Sequence, residues 1–336
     1  VNPPRETPGI RILAASVLLG LLGLFVLAAV TQGTISLSIG QVVDGLIGRG
    51  DPFTVAIVRD LRLPRALLGI LVGGSLAAAG ASLQALLQNP LADPFLLGVS
   101  GGAACGTLLA SVLGILGTAG AGAFLSPIAA VAGALAAVVL VGLGAYSQGT
   151  LDRGRLLLSG AIVNSLSSAL ILLLLSFGSP DTTRGFVFWM LGSLSSASWD
   201  SVSSLALYGG IGGLLLLFFA RALDAFTLGE ETAFTLGIRV ERTKKGVYVA
   251  ASILAAAAVA HAGIIGFVGL LVPQGVRLLV RDHRSILVFS FLSGAVLLLG
   301  ADLLSRWLFS PNEVSIGAMT ALIGAPAFLY LMRRKV

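Results

Sequence analysis

The chain has 336 residues, of which 56% are hydrophobic and 11% charged, with a mean hydropathy of +1.00. A soluble domain carries about 25% charged residues, so this composition excludes a soluble globular protein and indicates a polytopic membrane protein. The formal charge of +6 does not indicate a nucleic-acid binder, because the arginines are scattered between apolar spans, with no basic stripe and no aromatic interleaving. Cys105 is the single cysteine, which rules out an intrachain disulfide and a cysteine-based metal site; it reads as an inert thiol packed among small residues.

The first apolar run, Ile12 to Val30, follows Arg5 and Arg11 and has Ala28 and Ala29 near its end, in the manner of a signal peptide. Its core is long for that and many spans follow, so a retained first helix is expected. Ala66 to Leu87 is uncharged over 22 residues, enough to cross a hydrocarbon core of about 30 Å at about 1.5 Å per residue. It begins at Arg62-Leu63-Pro64-Arg65 and stops at Gln88-Asn89-Pro90, because proline disfavours helical geometry at the residue before it. Asp93-Pro94 repeats the signal, predicting a tight, rigid turn between two spans.

Apolar runs predict helices near 11–31, 64–88, 94–116, 122–146, 156–177, 199–220, 246–262, 285–304 and 316–332, with shorter pieces near 184–196 and 264–280. The expectation is an all-α protein of about ten crossings forming a single transmembrane domain over 1–336. With both termini in the cytoplasm, 15 of the 21 Lys/Arg face inward; the other six are Arg49, Arg59, Arg62, Arg65, Arg184 and Arg306. The positive-inside rule supports that orientation. It leaves an outward surplus of arginines, four of them between Arg49 and Arg65, that needs a reason.

Glycines number 44 and recur four apart at Gly69 and Gly73, at Gly98, Gly102 and Gly106, and at Gly209 and Gly213. Small residues at that spacing let helix backbones approach closely in lipid, which predicts a compact bundle. Within the spans, Asp302 lies four residues before Arg306, the spacing of an intrahelical ion pair. His261 has no convergent metal ligands and reads as a satisfied or hydrated histidine. Asn164, Ser165, Ser167 and Ser168 suit either a pathway lining or hydrogen bonds across helices.

Two further stretches stand out. From Ala262 to Arg284, Gly263, Gly266 and Gly269 alternate with bulky residues, Pro273 interrupts the run, and Arg277, Arg281, Asp282, His283 and Arg284 close it. A short, proline-broken helix of this kind lines or bends a transporter cavity, or is simply a kink. The loop at about 224–242 holds Leu228, Gly229, Glu230, Glu231, Thr232, Ala233, Phe234 and Leu236, which fit a short amphipathic helix stopped by Gly237. It predicts a knob that docks a soluble partner.

No GxxxxGK[ST] sequence, Ser/His/Asp set or HExxH motif occurs, which argues against nucleotide hydrolysis or other catalysis by this chain. An ion-coupled secondary transporter is the mechanistic rival, but it would place ionisable residues in mid-membrane, and here the charges cluster at span ends. A channel would show a filter or a charged ring.

The RLPR motif, QNPLADP, LGEETAFTLG, GFVGLLVP with DHR, and ADLLSR through IGAMTALIGAPAFLYLM resemble the FecCD/BtuC family across Gly33 to Leu331. These are permeases of type II ABC importers for iron-siderophores, haem and cobalamin. The resemblance implies a homodimer in the inner membrane around a central pathway, with two ATPase subunits below and a periplasmic binding protein above. ATP and magnesium would be used by the ATPase, and no cofactor is expected on this chain. It further implies that Leu228, Gly229, Glu230, Glu231, Thr232, Ala233, Leu236 and Gly237 couple to the ATPase. Asn89 and Leu91 match a cytoplasmic gate, and Arg153 and Gly154 fall in the loop of a second gate. Arg62, Arg65 and Arg306 match positions that receive acidic residues of the binding protein, the alternative being arginines that reach to headgroups. Gln274 departs from the family, which usually has histidine after the proline. An iron-siderophore is the first expectation for the substrate, with haem or cobalamin as alternatives.

Overall fold

The structure is a computed structural model that describes residues 8–33, 35–115, 121–147, 149–308 and 313–335; Arg5 lies outside them. Helix α1 (Pro8–Thr31) is followed by short α2 (Ile39–Ile47) and α3 (Pro52–Ala56), and α3 runs through a π-helical turn, Ile57–Arg62, into α4 (Leu63–Leu86). A 3₁₀ turn (Pro94–Leu97) leads to α5 (Val99–Val112) and α6 (Ala121–Ala145), then a tiny hairpin of β1 (Tyr146–Ser147) and β2 (Thr150–Leu151). Next come α7 (Arg153–Phe177), α8 (Pro180–Met190), α9 (Trp199–Phe226) and α10 (Glu230–Thr235). The chain ends with α11 (Val240–Ala262), α12 (Val268–Val276), α13 (His283–Trp307) and α14 (Ile316–Lys335).

Among the described residues seven helices are long and apolar enough to cross a membrane, and the shorter apolar stretches Val99–Val112 and Ile316–Leu331 join them. With half-length α8 and α12, this all-α architecture is close to the ten crossings expected. The sequence reading missed α2 and α3. Their signals are local: Ser38 and Gln41 form a reciprocal capping box, Gln41 N–H donating to Ser38 Oγ at 3.3 Å and Ser38 N–H to Gln41 Oε1 at 2.9 Å, and Asp51 caps α3 ahead of Pro52. Helices α9 and α11 also extend further than their apolar runs, because charged residues such as Arg221 and Lys244 occupy turns beyond the hydrophobic stretch.

Helix α4 is the axis of the bundle. Of its most apolar window 83% is buried, against 6% for α1. The reason is side-chain size: Gly73 lies so close to α13 that an added Cβ would strike the Gly294 carbonyl, and Gly102 approaches Gly133 of α6 in the same way. Contact at this range is what drives association where lipid tails are as apolar as the helices. Gly213 does not share this role, since a Cβ there would meet nothing; Gly212, one position away, turns toward Ala250 and Leu254 of α11.

The connections gather on two opposite faces. One face, called here the α10 face, holds the 88–94 turn, the β1–β2 hairpin, α10 and the α12–α13 loop. They are tied together by Gln88 Nε2 donating to Phe226 O, by His283 Nδ1 and Asp224 Oδ1 at 2.8 Å, and by Arg11 to Asp282 at 2.6 Å. The far face holds α2, α3, α8, the end of α13 and the start of α14, linked by Trp199 Nε1 donating to Arg59 O at 3.0 Å and Ile316 N–H to Gly192 O at 3.2 Å. Helix α1 starts on the α10 face beside Asp282. Helix α14 starts on the far face, and its 20 residues, about 30 Å at 1.5 Å per residue, return the chain to the α10 face.

Candidate functional site

On the α10 face, α9 ends at Phe226 and Gly229, at φ +104°, turns the chain into α10. Gly237, at φ +80°, stops it: Gly237 N–H donates to Phe234 O at 2.9 Å and Ile238 N–H to Ala233 O at 3.1 Å, which satisfies the last carbonyls. Ala233 is buried against the body, whereas Leu228, Phe234 and Leu236 are 65%, 73% and 63% exposed. Glu231 and Thr232 are also exposed. Three large apolar side chains on a short polar loop make the knob expected of a docking element.

Glu230 behaves differently from Glu231. Its carboxylate turns inward, 2.8 Å from Arg153 Nη2 and 2.7 Å from Lys244 Nζ, so it is not a free docking group. Arg153 is thereby tied to α10. With Gly154 it opens α7 at the side of α10, and neither residue lines the cavity described next.

That cavity, about 590 Å³, lies between the 91–101 segment, α7 and the start of α12. Leu91, Asp93, Asn164, Ser168 and Phe267 are among its lining. Asn164 lines this cavity, and its Nδ2 donates to Phe95 O at 3.1 Å; Ser168 Oγ donates to Asn164 O at 2.9 Å. Ser165 points elsewhere and bonds Ala161 O, while buried Ser167 accepts at its carbonyl from Cys105 Sγ. Burial pushes the Asp93 carboxyl up to about 6, against the pull of the Phe95 N–H that it accepts at 2.8 Å.

The 88–94 turn is the tight turn expected. Asn89 Oδ1 accepts from Leu91 N–H at 2.9 Å, an Asx turn that fixes Asn89 and presents Leu91 at 47% exposure. The sequence reading gave Gln274 no role, and the structure supplies one. Gln274 Nε2 donates to Pro90 O at 2.8 Å and to Gln84 Oε1 at 3.0 Å, and Gln84 Nε2 reaches the carbonyls of Gly269 and Leu270. Two glutamines thus lock the turn to α4 and α12. A second recess of about 550 Å³ beside them is lined by Gln84, Gln88, Gln274, Arg277 and Leu228. Among the described residues, the non-glycine positions with left-handed backbone are Gln88 and Phe267, one at each cavity. Such strain of about 1 to 3 kcal/mol persists where surrounding packing over-determines it, a common mark of working segments.

On the far face the three arginines assigned to docking separate. Arg62 is buried, and its guanidinium donates to Val30 O at 2.7 Å, Thr31 O at 3.0 Å and Ile35 O. It caps the end of α1, where a cation complements the helix dipole, and it does not form part of an exposed rim. Arg59 does the same for α2 through Leu46 O at 2.6 Å. Arg65 and Arg306 share Asp302, each at 2.9 Å from one of its oxygens, and Arg65 also meets Glu313 at 2.9 Å. The Asp302–Arg306 pair is the intrahelical one expected; the Arg65 contact was invisible at a separation of 237 residues. His261 is half satisfied: Nε2 bonds Ser204 Oγ at 3.0 Å, while buried Nδ1 has no hydrogen-bond partner among the described residues.

Comparison with known proteins decides the family. The model of the FecCD transport family matches residues 21–334. The chain belongs to that family. It is therefore an ABC transporter permease, a multi-pass membrane protein. Among its relatives, the cobalamin import system permease of Halobacterium salinarum is 43% identical over 82% of this chain and 73% of its own length. The hemin transport permease of Yersinia pestis is 39% identical over 82% and 83%, and the ferric enterobactin permease of Escherichia coli 37% identical over 94% of each chain. A solved structure described as an inward-facing metal-chelate type ABC transporter superposes with a TM-score of 0.84 at 30% identity, covering 95% of this chain and 99% of that one.

Proposed function

We propose that this FecCD-family permease is the membrane subunit of an importer that moves a metal chelate, with an iron(III)-siderophore as the first expected cargo. The observation that carries the reading is α10, a knob with Leu228, Phe234, Leu236 and Glu231 exposed on the face opposite the far-face ion pairs. Two copies of the chain enclose the pathway, two ATPase subunits engage α10 and consume ATP with magnesium, and a periplasmic binding protein meets the far face. The α10 face and both termini then lie in the cytoplasm of a cell whose inner membrane holds the protein. The basic residues around α10 and the α12–α13 loop support that orientation.

Arg65 and Arg306, with 14% and 12% of their side chains exposed, are the far-face cations placed to steer the binding protein. Leu91 and Asn89 form the cytoplasmic gate, and Asn164 and Ser168 line the pathway behind it. The relatives are named for cobalamin, hemin and ferric enterobactin, each a bulky organic chelate of a metal. A pathway for them needs width and few polar anchors, which the mixed, mostly apolar lining of the 590 Å³ cavity supports.

The test is ATP-dependent uptake into proteoliposomes containing the permease with its cognate ATPase and binding protein, offered labelled ferric siderophore, haem and cobalamin in parallel. Uptake of one chelate that requires all three components supports the reading and names the cargo. Uptake by the permease alone on an ion gradient would overturn it.

A further inference from the structure

Three separate parts of the α10 face converge on one buried ammonium group. Lys244, on the first turns of α11, has a side chain only 6% exposed. Its Nζ lies 2.7 Å from Glu230 of α10, 3.1 Å from Glu241 one turn earlier, and 3.3 Å from the carbonyl of Leu151 in β2. Glu241 in turn accepts from Leu151 N–H at 2.8 Å, so both backbone groups of that strand residue are held by α11. The neighbouring Lys245 secures the other strand: its Nζ sits 4.3 Å above the Tyr146 ring and 3.3 Å from the phenol oxygen. Glu230 closes the set by bridging Lys244 to Arg153, the first residue of α7.

The chemistry of this cluster makes it a rigid joint. Four charges, two of each sign, neutralise one another around a desolvated centre. Moving α10 away from Lys244 would take one of its two carboxylate partners from a buried ammonium, which is costly. Sliding α10 therefore drags both the start of α7 and the start of α11. Helix α7 is the member that presents Asn164 and Ser168 to the cavity, 11 and 15 residues beyond Arg153, or roughly 16 and 22 Å along the helix at 1.5 Å per residue. Helix α11 packs against central α4, whose C-terminus feeds the Asn89–Leu91 turn.

We infer that Lys244, with Glu230 and Arg153, is the positioning joint that converts displacement of α10 into movement of α7 and α11 at the cavity. The inference rests on the reading of α10 as the ATPase-contacting element. Lys244 touches neither cargo nor ATPase in this account; it acts through Glu230, Leu151 and Arg153.

The experiment uses the assembled permease, ATPase and binding protein in proteoliposomes, measuring cargo imported per ATP hydrolysed alongside complex assembly and thermal stability. Lys244→Met is expected to assemble and hydrolyse ATP while the transport-to-hydrolysis ratio falls about tenfold, within the range of coupling free energies between sites. Lys244→Arg restores most of it, since guanidinium also spans both carboxylates. Arg153→Gln, which leaves Lys244 paired, cuts only the link to α7 and gives a smaller fall; it decides the matter if Lys244→Met does not fold. A wild-type ratio in both variants overturns the inference. So does parallel loss of assembly and stability in both, which would make Lys244 a fold-holding residue only. Phe234→Asp separates the underlying reading: if the ATPase still co-purifies and uptake is normal, α10 is not the contact element, whatever Lys244 does.

Discussion

The two faces of the bundle use charge in contrasting ways. On the far face, cations are tied into the fold: Arg59 and Arg62 cap helix ends, and Arg65 and Arg306, which keep a small exposed fraction, pair with the fully buried Asp302. On the α10 face, charges tie short elements to one another, while apolar Leu228, Phe234 and Leu236 are left in the open. One face thus ties its cations into the fold, and the other leaves large apolar side chains in the open. The far-face positions of Arg59 and Arg62 follow from this, because α1 and α2 both end there and each exposes carbonyls that a guanidinium satisfies.

The sharpest way to break the contrast is Asp302→Asn. It leaves Arg65 and Arg306 facing each other with only half-exposed Glu313 nearby, and the expected loss is about 3 kcal/mol, read as a lower melting temperature of the purified permease. An unchanged melting temperature would mean that solvent already screens these charges. Arg62→Ala comes next, removing the donors to three carbonyls at an expected cost of about 1 to 3 kcal/mol. Amide exchange should quicken around 31–37 and stay as it was at 224–245. Equal quickening at both would erase the distinction between the faces.

On the α10 face, Asp93 gives a pH signature. Its pKa is raised from 3.8 to about 6, so the folded state holds the proton more tightly than the unfolded one. Asp93 therefore favours folding fully only at low pH, and that contribution is lost as pH rises through about 4 to 6. Asp93→Asn keeps an acceptor for Phe95 N–H but removes the titration, and melting curves across that window should flatten. The smallest effect is expected from Glu313→Gln. Burial disfavours the Glu313 carboxylate, but the Arg65 hydrogen bonds and charge outweigh it and hold its pKa below the usual range. Because Glu313 is half exposed, its pair with Arg65 contributes less than about 1 kcal/mol, and the variant should melt close to wild type.

Much of this was legible in advance from local patterns. Apolar run length placed the long spans, proline at 90 and 94 placed the turn, and the Glu230-to-Gly237 pattern placed α10 with its stop. The four-residue spacing of Asp302 and Arg306 predicted their pair. Pairs remote in sequence were not legible. Arg65 meets Asp302 across 237 positions, and Gln274 meets Gln84 across 190. Glu230 and Glu231 are adjacent and chemically identical, yet only the first turns inward. A polar residue beside a proline in an apolar run, as at Gln274, and a Glu241/Lys244 pair one turn apart were the available hints.

By itself the sequence indicated that this chain lives in lipid, where its long apolar spans and its turns fall and which family it resembles, because hydropathy, proline geometry and motif order are local properties. Only the tertiary structure decided which charges are paired within the fold and which stay exposed. An arginine's role depends on the carbonyl or carboxylate within about 3 Å of it, and in a bundle of antiparallel helices that neighbour comes from another helix.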